Sequence, residues 1–177
     1  MKTTLAAYLL SAGLLIGCSS NHLSAPETVP RVELPRFMGT WFVIAAIPTL
    51  IEDQAFNAIE SYALLPDGSI GTTFTFRDGG FDGTPQRYTP TGFVVDRRSN
   101  AVWDMQFLWP FRAEYRISYL DPDYQHTIIA RTPRDYVWIM ARTPLVDDAV
   151  YDRLVEKVAA LGYPADKLRK VPQRWPG

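Results

Sequence analysis

Few side chains in this chain of 177 residues could carry covalent chemistry: one cysteine, Cys18, and two histidines, His22 and His126. A catalytic or structural metal centre needs several His, Cys or carboxylate ligands converging on one point. A nucleophilic triad needs a serine within reach of a histidine and an acid. His22 lies close to the N-terminus and His126 stands alone at the start of an apolar run, so neither arrangement can be assembled. An isolated histidine in that setting reads as a hydrogen-bonded wall residue. The loop Asp78-Gly79-Gly80-Phe81-Asp82-Gly83 is rich in glycine, but no lysine and no helix signal follow it, which argues against a phosphate cradle. No residue is therefore assigned a catalytic role, and no cofactor or metal is expected.

Cys18 has a different use. Lys2 precedes an apolar stretch from Leu5 to Ile16, too short for the ~20 residues of a membrane span but suited to the core of a signal peptide. Leu15-Ile16-Gly17-Cys18 looks like a bacterial lipobox, which predicts removal of residues 1–17 and lipid modification of Cys18. A lone exported thiol can otherwise be reactive or pair between molecules. Lipidation consumes it and leaves nothing for a disulfide or a thiolate site. Acyl chains contribute about 0.8 kcal/mol per buried CH₂, so several of them hold a domain at a membrane without spanning it. Ser19 and Ser20 after the cysteine are similar to the signal that sends such lipoproteins to the outer membrane, most simply its periplasmic face. Residues 18–33, with Asn21, Ser24, Pro26 and Pro30, read as a flexible tether, and 34–177 as the folded domain.

That domain is long enough for one core. Its 18 basic and 19 acidic residues form no long run of either sign, which removes the electrostatic footprint of a nucleic-acid binder. Five Trp, nine Tyr and nine Phe favour β structure. Period-two segments bounded by turn residues recur at short intervals: up to Ile47, Ala58–Leu65, Ile70–Arg77, Arg87–Val95 interrupted at Pro90 and Gly92, Ala101–Leu108, Arg112–Leu120, His126–Thr132 and Tyr136–Arg142. Thr49 to Asn57 is read as a longer loop. The period then lengthens: Asp147 is a plausible N-cap, Val150, Leu154, Val155, Val158 and Leu161 form one helical stripe, and Gly162 is a stop signal. Lys167–Val171 is a short candidate edge strand. The fold class is all-β: an eight-stranded antiparallel up-and-down barrel with one C-terminal α-helix packed outside.

At this point the chain resembles the lipocalins, and among them the bacterial outer-membrane lipocalins related to apolipoprotein D. Arg36-Phe37-Met38-Gly39-Thr40-Trp41-Phe42 is similar to the family's first motif, Leu120-Asp121-Pro122-Asp123-Tyr124 to the second, and Met140-Ala141-Arg142-Thr143-Pro144 to the third. Alternation of strand direction brings these three to the closed end, where Gly39, Trp41, Asp121, Tyr124 and Arg142 are expected to form a structural plug, with the Arg142 cation over the Trp41 ring. One parity of each strand then faces inward: Phe74 and Phe76, Tyr88, Trp103, Met105 and Phe107, Tyr115 and Ile117, Trp138 and Met140. The resemblance implies that the upper members line a lipid-sized cavity, whereas in any small barrel such residues can simply be core. By the parity of relatives Glu60 points into the calyx as well, unless a bulge turns it to solvent; buried without a partner its pKa would rise. Phe56, Phe81, Trp109 and Phe111 fall at the open end, either as a portal or membrane contact or as loop residues folded onto the barrel.

The resemblance implies a lipid-anchored protein that binds, stores or carries a fatty acid or lysophospholipid-like ligand. Two rivals stand beside it: a structural or assembly lipoprotein with a filled barrel, and an enzyme on the same fold. A homodimer is left open.

Overall fold

In the computed structural model of the chain, residues 24–49 and 52–175 are described. The expected signal peptide and Cys18 lie outside them. A single helical turn, α1 (Leu34–Phe37), leads into β1 (Gly39–Ile47), β2 (Ala55–Leu64), β3 (Ile70–Asp78), β4 (Thr84–Tyr88), β5 (Thr91–Val94), β6 (Val102–Leu108), β7 (Phe111–Leu120), β8 (His126–Ala130) and β9 (Val137–Ala141). The helix α2 (Asp148–Ala160), a 3₁₀ turn (Ala165–Lys167) and a two-residue strand β10 (Arg169–Lys170) follow.

Neighbours pair antiparallel in the order β1-β2-β3-β5-β6-β7-β8-β9, and β9 returns to β1 from Phe42↔Ala141 to Ile47↔Val137, which closes the barrel. The fourth barrel strand is divided into β4 and β5, both paired to β3. The break falls at Thr89-Pro90, where proline has no N–H to give to a ladder; its carbonyl still accepts from the Thr72 N–H at 3.1 Å. At the β2–β3 hairpin the chain reverses through Pro66-Asp67-Gly68-Ser69. Gly68 takes φ +83°, a conformation open to glycine at little cost, and Asp67 Oδ1 accepts from the Ser69 N–H at 3.0 Å.

Two apolar cores result. One fills the barrel, with Val43, Phe74, Trp103, Tyr115, Ile117, Ile129 and Trp138 among its members. The other lies between the barrel wall and α2, where Ile44, Ile128, Val137 and Ile139 meet Leu154 and Val158. All five residues of β9 are buried because alternate side chains serve the two cores in turn. Asp147 occupies the N-cap position of α2, as its place in the sequence suggests, but its side chain makes no capping hydrogen bond. The helix stops before Gly162 at φ +88°.

Two segments depart from the sequence reading. The tether expected over 18–33 is held to the barrel in its described part: the Val29 N–H donates to Ile117 O at 3.0 Å, the Val32 N–H to Ser99 O at 2.7 Å, and Arg116 Nε to Pro26 O at 3.0 Å. Val32 is fully buried, so an apolar residue outweighs the polar and proline-rich composition around it. The second departure is at the other terminus, beyond the short edge strand, which forms within Lys167–Val171 as expected. β1 pairs with β2 only from Gly39↔Tyr62 to Phe42↔Ile59, because Asn57, at φ +48°, bends the start of β2 away. The C-terminal strap fills the gap: β10 pairs with Ala45 and Ala46, the Asn57 N–H donates to Pro172 O at 2.8 Å, and Gln173 Nε2 donates to Val43 O at 2.8 Å and Ala58 O at 3.1 Å. One glutamine amide thus stitches β1 to β2 where their ladder is missing.

Candidate binding site: a packed floor beneath two chambers

The closed end is built around Arg142. Its guanidinium lies over the Trp41 ring at 3.8 Å, while Nη2 donates to the carbonyls of Arg36, Phe37 and Met38 at 2.8, 3.0 and 2.9 Å and Nη1 to Thr40 O at 2.8 Å. The end of the α1 turn and its C-cap supply the first three of these carbonyls because C-terminal C=O groups have no partners within so short a helix. Gly39, at φ +92°, carries the chain past the guanidinium; a Cβ there would lie 3.5 Å from Nη1. Trp41 Nε1 donates to Phe37 O at 2.8 Å. Tyr124 receives the Glu33 N–H on its hydroxyl at 2.9 Å and the Arg36 guanidinium on its ring at 4.0 Å. Asp121 accepts the backbone N–H groups of Gln125 and His126 at 2.7 and 3.1 Å and meets His126 Nδ1 at 2.6 Å. Every one of these side chains is committed to holding backbone.

Above the plug the barrel is filled by large buried side chains. Trp103 and Tyr115 stack at 5.0 Å, Phe37 and Tyr62 close around Trp103 edge-on, and Met105, Ile117 and Met140 are almost completely buried. Glu60 points inward among them with no exposure. The bend that could have turned it outward falls earlier, at Asn57. The Tyr62 hydroxyl donates to Glu60 Oε2 at 2.5 Å and lies 2.5 Å from the Tyr115 hydroxyl. Each phenol has one proton, so Tyr115 donates to Tyr62. Glu60 Oε1 has no partner among the described residues. Burial pushes the Glu60 carboxyl up to about 8, against the opposing Tyr62 hydrogen bond and with a further push from the charge of Glu52. The same burial, with the charge of Glu60, raises Tyr62 and Tyr115.

The cavity lies in the upper half, in two chambers. The mouth chamber, about 270 Å³, is lined by Thr49, Glu52, Phe74, Phe107, Ala113, Tyr136 and Trp138. The seam chamber, about 330 Å³, lies under the strap, where Val43, Ala46, Ala58 and Phe74 face Val171 and Pro172. Glu52 and Phe74 line both. Of the inward residues expected from parity, Phe74, Phe107 and Trp138 border a chamber. Phe76 and Tyr88 form a stacked wall beside Phe74. Trp103, Met105, Tyr115, Ile117, Met140 and Glu60 line neither chamber, since parity gives the side of the wall but not the height at which bulky rings fill the interior. At the rim, Phe56 and Phe81 pack edge-to-face at 5.0 Å, with Arg174 over Phe81 at 4.1 Å. The β6–β7 tip is open: Leu108, Trp109 and Phe111 are 70%, 80% and 72% exposed.

A family model described as "Lipocalin-like domain" matches residues 32–173. The chain is a lipocalin. It is 32% identical over 161 residues to temperature-induced lipocalin-1 of Arabidopsis thaliana, covering 83% of this chain and 82% of that protein. It is 27% identical to the outer membrane lipoprotein Blc of Escherichia coli K12, covering 96% of each. Among solved structures, insecticyanin of the tobacco hornworm Manduca sexta superposes with a TM-score of 0.66 at 15% identity, over 82% of this chain and 83% of that one.

One residue of this lipocalin's cavity has no signature in the sequence. Glu52 lies in the loop between β1 and β2, where no periodicity assigns it a side, and its fixing partner is 86 positions away: Trp138 Nε1 donates to Glu52 Oε1 at 2.9 Å. The Thr49 N–H donates to the same oxygen at 3.1 Å. Burial raises the Glu52 carboxyl, and these two donors oppose the rise.

Proposed function

We propose that this lipocalin binds a single-chain amphiphile, a fatty acid or a lysophospholipid, with its chain in the two chambers, and that it stores or carries the ligand at the outer membrane, tethered through lipid on Cys18. The reading is that of a binding protein and not of an enzyme. The observation that carries it is the apolar mouth chamber of about 270 Å³ above a floor of buried, stacked aromatic side chains. A barrel of purely structural use has no need of such a space, and the resemblance in sequence to outer membrane lipoproteins called Blc supports the location. The exposed apolar tip Leu108-Trp109-Pro110-Phe111 lies at the end where the chambers open, which suits a mouth turned towards a lipid surface.

The test is a titration of protein stripped of lipid by unfolding and refolding, using a fluorescent fatty acid with lysophospholipid as competitor. Binding at micromolar concentration or tighter is expected. Trp138→Ala and, at the half-exposed mouth, Phe107→Ala should each weaken it about tenfold or more, the loss of one large apolar contact. Folded protein that takes up no amphiphile, or binds it equally in both variants, removes the proposal.

A further inference from the structure

Ionisable groups around the chambers are unevenly distributed. Most cations near the mouth already have an acid: Arg131 pairs with Asp135 at 2.7 Å and lies over Tyr136, Arg169 pairs with Asp53 at 2.9 Å, and Lys170 pairs with Asp148 at 3.5 Å, over Tyr151. Lys167, near Thr49 and Tyr136 in a separate surface groove, has no acid partner among the described residues and lines neither chamber. The mouth chamber has no Lys, Arg or His in its lining. It does have a carboxylate. Glu52 stands where the two chambers meet, 8% exposed, with Oε1 engaged by the Trp138 indole and the Thr49 N–H. Its second oxygen has no protein donor among the described residues. The residue itself borders both chambers.

We infer that Glu52 is the head-group residue of this cavity, and that it selects amphiphiles whose head is cationic or donates hydrogen bonds over those that end in a carboxylate anion. The inference rests on reading the chambers as the ligand site. A donor head satisfies the second oxygen of a buried acceptor, which has no donor among the described residues, the configuration in which a hydrogen bond to a charged group is strongest. An anionic head at the same place meets the Glu52 carboxylate in a region of low dielectric, and the cations that border the seam chamber, Arg169 and Lys170, are already paired with Asp53 and Asp148. A carboxylate must then stay above the mouth and leave part of its chain outside. Of the groups that share the mouth chamber with Glu52, Thr49 and Trp138 hold its first oxygen, Phe74, Phe107 and Ala113 are apolar, and the Tyr136 hydroxyl is turned to Glu114 O at 3.4 Å, so the charge that meets a head there is that of Glu52.

The probes are dodecylammonium and laurate, equal in chain length and opposite in head charge, each titrated below its micellar concentration into the delipidated full protein at pH 7.5. Tryptophan emission is the readout. Dodecylammonium should bind at least tenfold tighter than laurate. The formal net charge of the chain is only −1, so long-range attraction does not produce that ratio. Glu52→Gln keeps an acceptor for the Trp138 indole and removes the charge; it should bring the ratio close to one or invert it, with laurate gaining affinity. A wild-type ratio near one, or a preference for the ammonium that survives in Glu52→Gln, overturns the inference and leaves the amphiphile-binding reading intact. If neither probe, nor dodecanol, binds protein shown to be folded by circular dichroism, the amphiphile-binding reading falls and the role of Glu52 falls with it.

Discussion

Replacing Glu60 by glutamine should change the pH dependence of stability more than stability itself. The folded-state pKa is raised from an ordinary value of 4.5 to about 8 by burial. Below 4.5 the carboxyl is protonated in both the folded and the unfolded chain and contributes no pH dependence. Between 4.5 and 8 the unfolded chain ionises while the folded one keeps its proton, so stability is lost as pH rises, at about 1.4 kcal/mol per pH unit. Above 8 the loss is complete, on the order of 5 kcal/mol over the 3.5 units separating the two values. Glutamine does not titrate, and its carbonyl can still accept the Tyr62 hydroxyl. Near pH 5 the variant should therefore match the wild type to within about 1–2 kcal/mol, the scale of one altered buried hydrogen bond. By pH 9 it should be the more stable protein by about 3–5 kcal/mol. Urea unfolding followed by tryptophan emission at each pH unit from 5 to 9 measures the difference directly, since Trp103 packs against the Tyr62 and Tyr115 rings of the same cluster. A difference between variant and wild type that stays flat within 1 kcal/mol across that range would falsify the picture of Glu60 as a sealed carboxyl.

Arg142→Ala should cost about 3–4 kcal/mol: roughly 1 for each of its half-buried bonds to Phe37, Met38 and Tyr124, and about 1 for the contact with Trp41. The more exposed bonds to Arg36 and Thr40 should add little because water replaces them. A melting point lowered by about 6–16 °C is expected, with Arg142→Lys recovering only part of it because an ammonium cannot reach several carbonyls at once; a shift under 2 °C would show that the plug is decorative. At the opposite end, Trp109→Ala combined with Phe111→Ala should lower partitioning onto anionic or neutral phospholipid vesicles at least tenfold, since each ring offers roughly 1.5–3 kcal/mol on full burial, without altering the melting point. Unchanged sedimentation with vesicles would remove any membrane role for the tip.

The alternation of Ala113, Tyr115 and Ile117 against Arg112, Glu114 and Arg116 was enough to place β7 in a barrel wall, because a strand with one wet face can satisfy that pattern in only one way. The expected continuation to Tyr119 fails at an irregularity after Ile117, beyond which Tyr119 packs with the outer core against α2. The helical stripe of α2 and the glycine before Trp41 were legible for the same reason: each is a local pattern with one physical solution. Three features were not. Val32 is an apolar residue in a polar stretch, and nothing local tells that its pocket lies beneath Ser99. Gln173 stitches β1 to β2 across more than a hundred positions, a role open only because the bend at Asn57 leaves two carbonyls without partners. Glu52 belongs to a loop without period, and its place was decided by the Trp138 indole.

The division between floor and cavity follows the same rule. Sequence by itself determined where most strands run and which end closes, since backbone hydrogen bonding and parity are short-range constraints; the sides that Glu60 and Tyr119 face were decided by the tertiary structure. Tertiary structure alone decided how high the packed aromatic floor rises, where space remains above it, and which carboxylate faces that space. Those depend on the volumes of side chains contributed by strands far apart in the chain, which meet only when the barrel closes.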